Sequence, residues 1–203
     1  MTHDNCGKPS PATNGPVSEA IMELGRLAEQ LASALEPQLR QAAELLADSL
    51  AAGGKLLACG NGGSAADAQH MVAELVGRLC KDRPALAALS LTTDPSVITA
   101  LSNDYGFENV FARQVEALGK PGDVLLGIST SGSSANVVAA AETARAQGMK
   151  VIALVGKEAK PALAEADVCI HIPSSNAQRI QELHTALLHC ICDQAEKRLF
   201  PQL

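Results

Sequence analysis

The order of apolar and polar positions divides the chain into short apolar runs and longer amphipathic segments. Helical spacing of apolar residues is found between these runs, before the first run and after the last. Strands that alternate with helices form a parallel sheet that is covered by helices on both faces. The pattern therefore predicts an α/β fold, a three-layer αβα sandwich around a mostly parallel five-stranded sheet with strands near residues 55–59, 85–91, 123–128, 150–155 and 168–172.

Helices are expected at both ends of this sheet pattern. Apolar residues recur at helical spacing over residues 17–35, and Pro37 suits the first turn of a second helix that ends at Gly53-Gly54. A long helix is expected from about residue 177 to residue 199. The fold should therefore carry N-terminal helices and a long C-terminal helix.

The length of 203 residues is that of one ordinary domain. Residues 1–16 are polar and rich in proline, so we expect a flexible arm there and a single domain over residues 17–203. A formal charge of −6, one Tyr, three Phe and no Trp argue against direct binding of nucleic acid. No apolar run approaches the roughly 20 residues that span a bilayer, and we expect no signal peptide in the polar N-terminal segment.

The six cysteines include no C-x-x-C pair. Cys59 and Cys169 fall inside apolar runs typical of buried strands, where reduced thiols are common. We therefore expect reduced cysteines and a soluble cytoplasmic protein rather than a disulfide framework.

One stretch, from Cys59 to Glu74, joins a glycine-rich turn to a helix. Free backbone N–H groups at a helix start attract anions, and glycine allows a ligand to approach the backbone closely. His70 and Glu74 are four residues apart on this helix, so both can reach one ion or substrate atom. The alternative is an exposed pair that contributes only roughly 0.3 kcal/mol.

A second loop, Ser129 to Ser134, offers five hydroxyl groups in six residues at a helix start. Such a loop can hold a phosphate through hydroxyls and N–H groups alone. A helix cap at Ser133 or Ser134 would account for one serine but not for the cluster. The glycines at 60, 62 and 63 match neither the dinucleotide fingerprint nor a P-loop.

Two polar segments between the loops have structural interpretations. Asp94 followed by Pro95 is a good helix N-cap, and that role competes evenly with a role in substrate binding. Residues 102–106 are expected to form a polar turn after this helix.

Both loops, and the strand pattern around them, resemble the sugar isomerase (SIS) domain family, which implies a flavodoxin-like domain that binds phosphorylated sugars. Five segments resemble the phosphoheptose isomerase branch of this family. They are CGNGGS at 59–64, HMVAEL at 70–75, SNDYGF at 102–107, EALGKPGDVLLGISTSGSSANV at 116–137 and RIQELH at 179–184. That resemblance implies conversion of D-sedoheptulose 7-phosphate to D-glycero-D-manno-heptose 7-phosphate through an enediolate. The product would serve ADP-heptose and lipopolysaccharide core synthesis.

The resemblance also implies which residues form the site. Zinc, one ion per subunit, would be held by His70, Glu74, Gln181 and His189 in a homotetramer. An isomerase needs a carboxylate base and an imidazole acid, and we assign these roles to Glu74 and His189. The substrate would contact Glu74, Gln181 and residues of three loops, namely Asn61, Gly62, Gly63, Ser64, Asn103, Asp104, Ser129, Thr130, Ser131 and Ser134.

Helix geometry complicates this ligand set. In one straight helix, Gln181 and His189 stand about 12 Å apart along the axis and about 80° apart around it. Unless the helix bends or begins late, we expect one of the two to come from a neighbouring subunit. Taken alone, His189 has the apolar neighbours of a core histidine, and Gln181 and His184 are typical of a helix surface or interface.

The chain also resembles a tetrameric, non-enzymatic SIS relative that associates with the replication initiator DnaA, and this is the main alternative function. The segments SAADAQH at 64–70 and LFP at 199–201 resemble that branch, which departs from the Glu74 and His189 pair. A sugar-phosphate sensor of a regulator is a third possibility, although no helix-turn-helix segment is recognisable. The roles of Asp94, Asp104 and His184 stay open at this point.

Overall fold

The computed structural model describes residues 15–202, and its centre is a five-stranded sheet in which every neighbouring pair of strands is parallel. The strand order is β2-β1-β3-β4-β5, which is the flavodoxin-like order. The predicted α/β class is therefore confirmed, and the sheet is entirely parallel. The strands are β1 (Leu56–Gly60), β2 (Ala88–Ser90), β3 (Val124–Ser129), β4 (Lys150–Val155) and β5 (Val168–His171).

Helices precede the first strand and follow the last, as the apolar spacing predicts. A single 3-10 turn, Phe107–Asn109, connects the fourth helix to the fifth. Residues 1–14 of the expected arm lie outside the described residues. The helices are α1 (Pro16–Ala34), α2 (Glu36–Ala51), α3 (Gly63–Val76), α4 (Pro95–Tyr105), α5 (Val110–Leu118), α6 (Ala135–Ala146), α7 (Pro161–Ala164) and α8 (Ala177–Leu199).

Alternate residues of the central strands enter two separate cores. In β1, Leu56 and Ala58 pack with α1, α2, α3 and α8 on one face of the sheet. Leu57 and Cys59 pack with α4, α5, α6 and α7 on the other face. Successive side chains of a strand point to opposite faces of the sheet, so a strand with a core on each face is apolar throughout.

The polar segment 102–106 is not a separate turn, which corrects the sequence prediction. Helix α4 continues to Tyr105 and ends at Gly106, whose φ of +84° suits glycine. The Ser102 hydroxyl donates to the Ile98 carbonyl, while Asn103 and Asp104 are exposed on the last turn. The polarity of this segment marks a solvent-facing helix end.

The cysteines in the described range, Cys59, Cys80, Cys169, Cys190 and Cys192, are all free. This agrees with the expectation of reduced thiols. Across residues 15–202, the helices are too short or too polar to span a bilayer.

Candidate active site

The two loops of interest lie side by side at the carboxyl edge of the sheet. Loop one (residues 60–64) follows β1 and loop two (residues 129–134) follows β3, and these strands are hydrogen-bonded neighbours with Gly60 opposite Ile128. Carboxyl ends of parallel strands are where ligands bind in open α/β sheets. The topology therefore joins two loops that stand about 70 residues apart in the sequence.

A pair of amide groups connects these loops. Asn61 of loop one donates to the Asn136 Oδ1 at 2.8 Å, and Asn136 donates back to the Asn61 Oδ1 at 2.9 Å. Asn136 is buried in the first turn of α6. Asn136 was not predicted from the sequence, where its only signal was an amide shortly after the hydroxyl-rich loop.

Loop one brings backbone close to a neighbouring side chain. Gly62 has a φ of +57°, and α3 begins immediately after it, with a glycine at the cap position. A Cβ added to Gly63 would lie only 2.5 Å from the Gln181 Nε2, so the small residue permits this contact. The N–H groups of residues 64–66 already donate to the Asn61 and Gly62 carbonyls, so the N–H groups of Gly62 and Gly63 are the ones that can receive an anionic or hydroxylated ligand.

In loop two the hydroxyl groups converge. The Ser129 Oγ lies 2.9 Å from the Ser134 Oγ and 3.3 Å from the Ser131 Oγ. Ser134 is the N-cap residue of α6, yet its hydroxyl makes no capping hydrogen bond within the described chain. Helix capping therefore does not account for this serine, and the cluster retains acceptors and donors for a ligand.

One cation next to loop two was also missed from the sequence. Lys157, just after β4, lines a cavity of about 320 Å³ together with Thr130 and Ser131 of loop two. Glu158, Ser174 and Ser175 complete the lining. A lysine that follows the next strand in the sheet order was the available signal, because β4 neighbours β3.

The three residues His70, Glu74 and His189 come together within one chain. The Nε2 atoms of His70 and His189 are 2.8 Å apart, and the His70 Nε2 is 3.3 Å from the Glu74 Oε1. One ligand atom of each residue lies within 4.8 Å of the others. The group is partly open to solvent, with Glu74 and His189 half-buried and His70 exposed.

These donors suit zinc, which binds imidazole nitrogen and carboxylate oxygen. In a tetrahedral site with Zn–N distances of about 2.0–2.1 Å, two nitrogens stand about 3.4 Å apart. The two imidazole rings would separate by roughly half an ångström from their present contact to accept the ion. The group therefore fits a metal with a small ring movement.

Gln181, the fourth expected ligand, lies elsewhere on the same chain. Its side chain packs on Gly63, which is two helical turns before His70. Helix α8 runs unbroken through both Gln181 and His189, and each packs against α3 of its own chain. Within this chain, His189 reaches the group directly while Gln181 reaches loop one, and the expectation that one of the two comes from a neighbouring subunit stays a prediction.

Four other candidates have clear positions. Asp94 caps α4 by accepting a hydrogen bond from the Val97 N–H at 3.0 Å, so its structural role is confirmed. His184 is fully buried and lies 3.3 Å from the Val155 carbonyl, which corrects its assignment to a surface or interface. Asn103 and Asp104 are exposed and, within residues 15–202, hydrogen-bond to each other rather than to the loops.

A buried carboxyl group was not anticipated. Asp67, one turn before His70, accepts a hydrogen bond from the Thr185 hydroxyl at 2.7 Å and thereby joins α3 to α8. Burial raises the pKa of Asp67 above its ordinary value, although the Thr185 hydrogen bond and the proximity of His70 oppose the rise. Asp67 thus lies between the loop end and the histidine end of the site.

Comparison with known proteins gives a consistent assignment. The SIS domain family matches residues 21–156. A phosphoheptose isomerase from Thiobacillus denitrificans is 54% identical over 171 residues, covering 83% of this chain and 87% of the relative. A second, from Geotalea daltonii, is 51% identical over 175 residues, covering 86% of this chain and 91% of the relative.

Solved structures agree with the sequence relatives. A phosphoheptose isomerase from Neisseria gonorrhoeae superposes with a TM-score of 0.84 at 47% identity, covering 89% of this chain and 97% of that one. One from Francisella tularensis gives 0.85 at 40% identity, covering 89% and 96%. The parallel sheet and the hydroxyl-rich loop at its carboxyl edge define a SIS domain. Within that class, the chain belongs to the phosphoheptose isomerase family.

Proposed function

We propose that the protein is a phosphoheptose isomerase that converts D-sedoheptulose 7-phosphate to D-glycero-D-manno-heptose 7-phosphate in the cytoplasm, for ADP-heptose and lipopolysaccharide core synthesis. The observation that carries the proposal is the meeting of His70, Glu74 and His189 in a chain of this family. A base, an acid and a metal-binding group in one place are what a ketose–aldose isomerisation requires.

The phosphate of the sugar binds loop two. Ser129, Thr130, Ser131 and Ser134 donate hydroxyl hydrogen bonds, and the α6 N-terminus directs backbone N–H groups and the positive end of its dipole at the same place. Lys157 adds a positive charge beside Thr130 and Ser131. The cavity thereby gains the cation that loop two itself lacks.

The sugar chain extends from loop two towards loop one. Asn61, Gly62, Gly63 and Ser64 offer an amide, backbone N–H groups and a hydroxyl, and Gln181 adds a second amide on Gly63. The side-chain amides and the hydroxyl can both donate to and accept from sugar hydroxyls, whereas the backbone N–H groups donate to them. The reacting end of the substrate is thereby directed along α3 towards His70 and Glu74.

The chemical step moves one proton between carbons and one between oxygens. Glu74 removes a proton from C1 of the ketose, leaving an enediolate, and returns a proton to C2. His189 transfers a proton from the C1 oxygen to the C2 oxygen, so atoms and charge balance. Half-burial of Glu74 limits the water that competes with these transfers.

His70, Glu74 and His189 would hold zinc, with Gln181 as a more distant fourth group. When bound, the ion supplies Lewis-acid polarisation of the substrate carbonyl and enediolate oxygens. Glu74 can serve both the ion and the substrate because a carboxylate has two oxygen atoms.

The working assembly is proposed to be a homotetramer in which two chains contribute to each site. Asn103 and Asp104 support this, since both are exposed and, within residues 15–202, they hydrogen-bond to each other rather than to loops one and two of their own chain. Val17, Ile21 and Met22 of α1 are also exposed and apolar, as expected of a helix that packs on another chain.

The enzyme is favoured over the DnaA-associating alternative because Glu74 and His189 are both present and belong to one group with His70. A binding protein would have no use for a base and an acid held within reach of one ion. A sensor role gains no specific support from the site.

The test is turnover of sedoheptulose 7-phosphate by the purified protein, before and after a chelator and with zinc restored. We expect turnover in the untreated protein, a loss with chelator and recovery with zinc. Glu74→Gln should lower kcat/KM by about 10²–10⁴-fold, because general base catalysis contributes that much. Glu142→Gln, an exposed change on α6, is the matched control and should leave kcat/KM unchanged.

Absence of turnover by the wild-type chain in every metal condition would rule out the isomerase. Turnover that survives Glu74→Gln would leave the enzyme but remove Glu74 as its base.

A further inference from the structure

A buried arginine lies behind the proposed site, on the connection between α3 and β2. The side chain of Arg83 is only 1% exposed, although the segment around it is at the surface. A guanidinium cannot lose its charge in a protein, so its burial requires partners for its N–H groups. Those partners identify what the residue holds in place.

The first partners are the last carbonyl groups of α3. The Arg83 Nη2 donates to the Glu74 carbonyl at 2.7 Å, and Nη1 donates to the Leu75 carbonyl at 2.8 Å. Nη1 is also 3.3 Å from the Gly77 carbonyl and 3.1 Å from the Pro84 carbonyl. Carbonyls at a helix C-terminus lack intrahelical partners and favour a positive charge. Arg83 therefore binds the peptide group of the proposed base itself.

The second partner is on α8. The Arg83 Nε lies 3.1 Å from the Glu196 Oε2 as a charge contact that is not aligned as a hydrogen bond, and the Glu196 side chain is 10% exposed. Glu196 stands seven residues after His189, which is two turns along the same helix face. One guanidinium thus joins the turn that carries Glu74 to the helix that carries His189.

We propose that Arg83 and Glu196 are positioning residues that hold α3 and α8 at the separation at which His70, Glu74 and His189 meet. Neither residue touches the substrate. Their effect on activity rests on the proposed function, but their effect on the three-residue group does not. A group built from two helices keeps its geometry only if both helices are fixed close to it.

The variant Arg83→Lys tests whether the positive charge alone is sufficient or whether the planar arrangement of donors is needed. A lysine ammonium keeps the positive charge but offers three donors at one point, and it cannot span the two carbonyls and the carboxylate as the planar guanidinium does. Arg83→Lys should therefore loosen the group without leaving an unpaired carboxylate. Glu196→Gln keeps the shape of the partner and removes its charge, and it provides a second variant if the first does not fold.

The experiment measures zinc affinity by calorimetric titration of metal-free chains, well below their unfolding temperatures, and then kcat and KM for the sugar phosphate. We expect about tenfold weaker zinc binding in both variants, the lower end of the loss seen when a group supporting metal ligands is changed. kcat should fall with KM unchanged, because loops one and two are untouched. Arg198→Lys is the matched control, since Arg198 pairs with Asp48 between α8 and α2 on the surface and should change neither quantity.

Unchanged zinc affinity and kcat in Arg83→Lys and Glu196→Gln, with only a lower Tm, would overturn the proposal and leave a structural ion pair. A wild-type chain that binds no zinc would overturn it as well. A wild-type chain that binds zinc but does not turn over the sugar would defeat the isomerase proposal alone, and the zinc titration would still decide the role of Arg83.

Discussion

Two histidines five residues apart on α8 have opposite environments. His184 is completely buried beneath the end of β4, while His189 is half-buried next to His70. Five residues correspond to about 140° around a helix, so the two rings face different sides. One histidine therefore belongs to the core and the other belongs to the site.

The buried histidine predicts a pH-dependent stability. Burial lowers the pKa of His184 from 6.5 to about 4. The unfolded chain therefore binds more protons between these values, so the stabilisation is complete above pH 6.5 and is lost as pH falls towards 4. The free energy of unfolding should drop by about 2 kcal/mol between pH 7.5 and 5 through this residue.

Guanidinium denaturation of the wild type and of His184→Gln, at both pH values, checks this prediction. The variant should lose about 2 kcal/mol less than the wild type over the interval, because the other titrating groups are common to both chains. Equal losses in the two chains would show that His184 is not the source.

At the scale of elements, the site depends on how two loops are fixed to each other. Each amide of the Asn61–Asn136 pair uses one donor and one acceptor in the mutual contact. A second N–H and further acceptor capacity remain on Asn61 for a sugar hydroxyl. The pair therefore orients the Asn61 side chain and leaves part of its hydrogen-bonding capacity for the substrate.

Asn136→Ala tests this orientation. The change leaves Asn61 without its partner and should cost about 1–3 kcal/mol of stability. KM for the sugar phosphate should rise with a smaller effect on kcat, since Glu74 and His189 are on other elements. Asn109→Ala, which removes one hydrogen bond to the Tyr105 carbonyl away from the loops, should leave KM unchanged. Unchanged KM in Asn136→Ala would mean that Asn61 does not contact the sugar.

At the scale of the whole molecule, the structure predicts which mixed oligomers should recover activity. Chains with Glu74→Gln mixed with chains with His189→Ala should not recover activity, because both residues belong to one chain's group. Glu74→Gln mixed with Asn103→Ala should recover part of it, because we propose that Asn103 serves a neighbouring chain.

Activity assays on mixed oligomers, isolated through two different affinity tags, provide the measurement. Oligomers of one variant alone are the controls and should be inactive or strongly impaired. Recovery in the first mixture would show that the histidine group is assembled across chains. Absence of recovery in the second mixture would show that Asn103 acts in the site of its own chain or has no role in the site.

The sequence by itself determined the elements and the chemistry of the site. Local spacing of apolar residues is sufficient for a helix such as α8, whose predicted and observed limits agree at Ala177–Leu199. Glycine and hydroxyl clusters between strand and helix identify a ligand loop because the backbone there has free N–H groups. The prediction of a turn at residues 102–106 was wrong because it used local composition alone, and a solvent-facing helix end has the same polar composition as a turn.

Only the tertiary structure decided which residues meet. Asn136, Lys157 and Asp67 join the site through packing between elements distant in sequence, and their local sequence does not determine which residues they contact. The packing of α8 on α3 places His189 beside His70 and Gln181 beside Gly63, because the two residues leave this straight helix about 12 Å apart along its axis. The contacts of Arg83 with Glu74 and Glu196 follow from the same packing, since a buried charge takes its partners from whatever elements surround it.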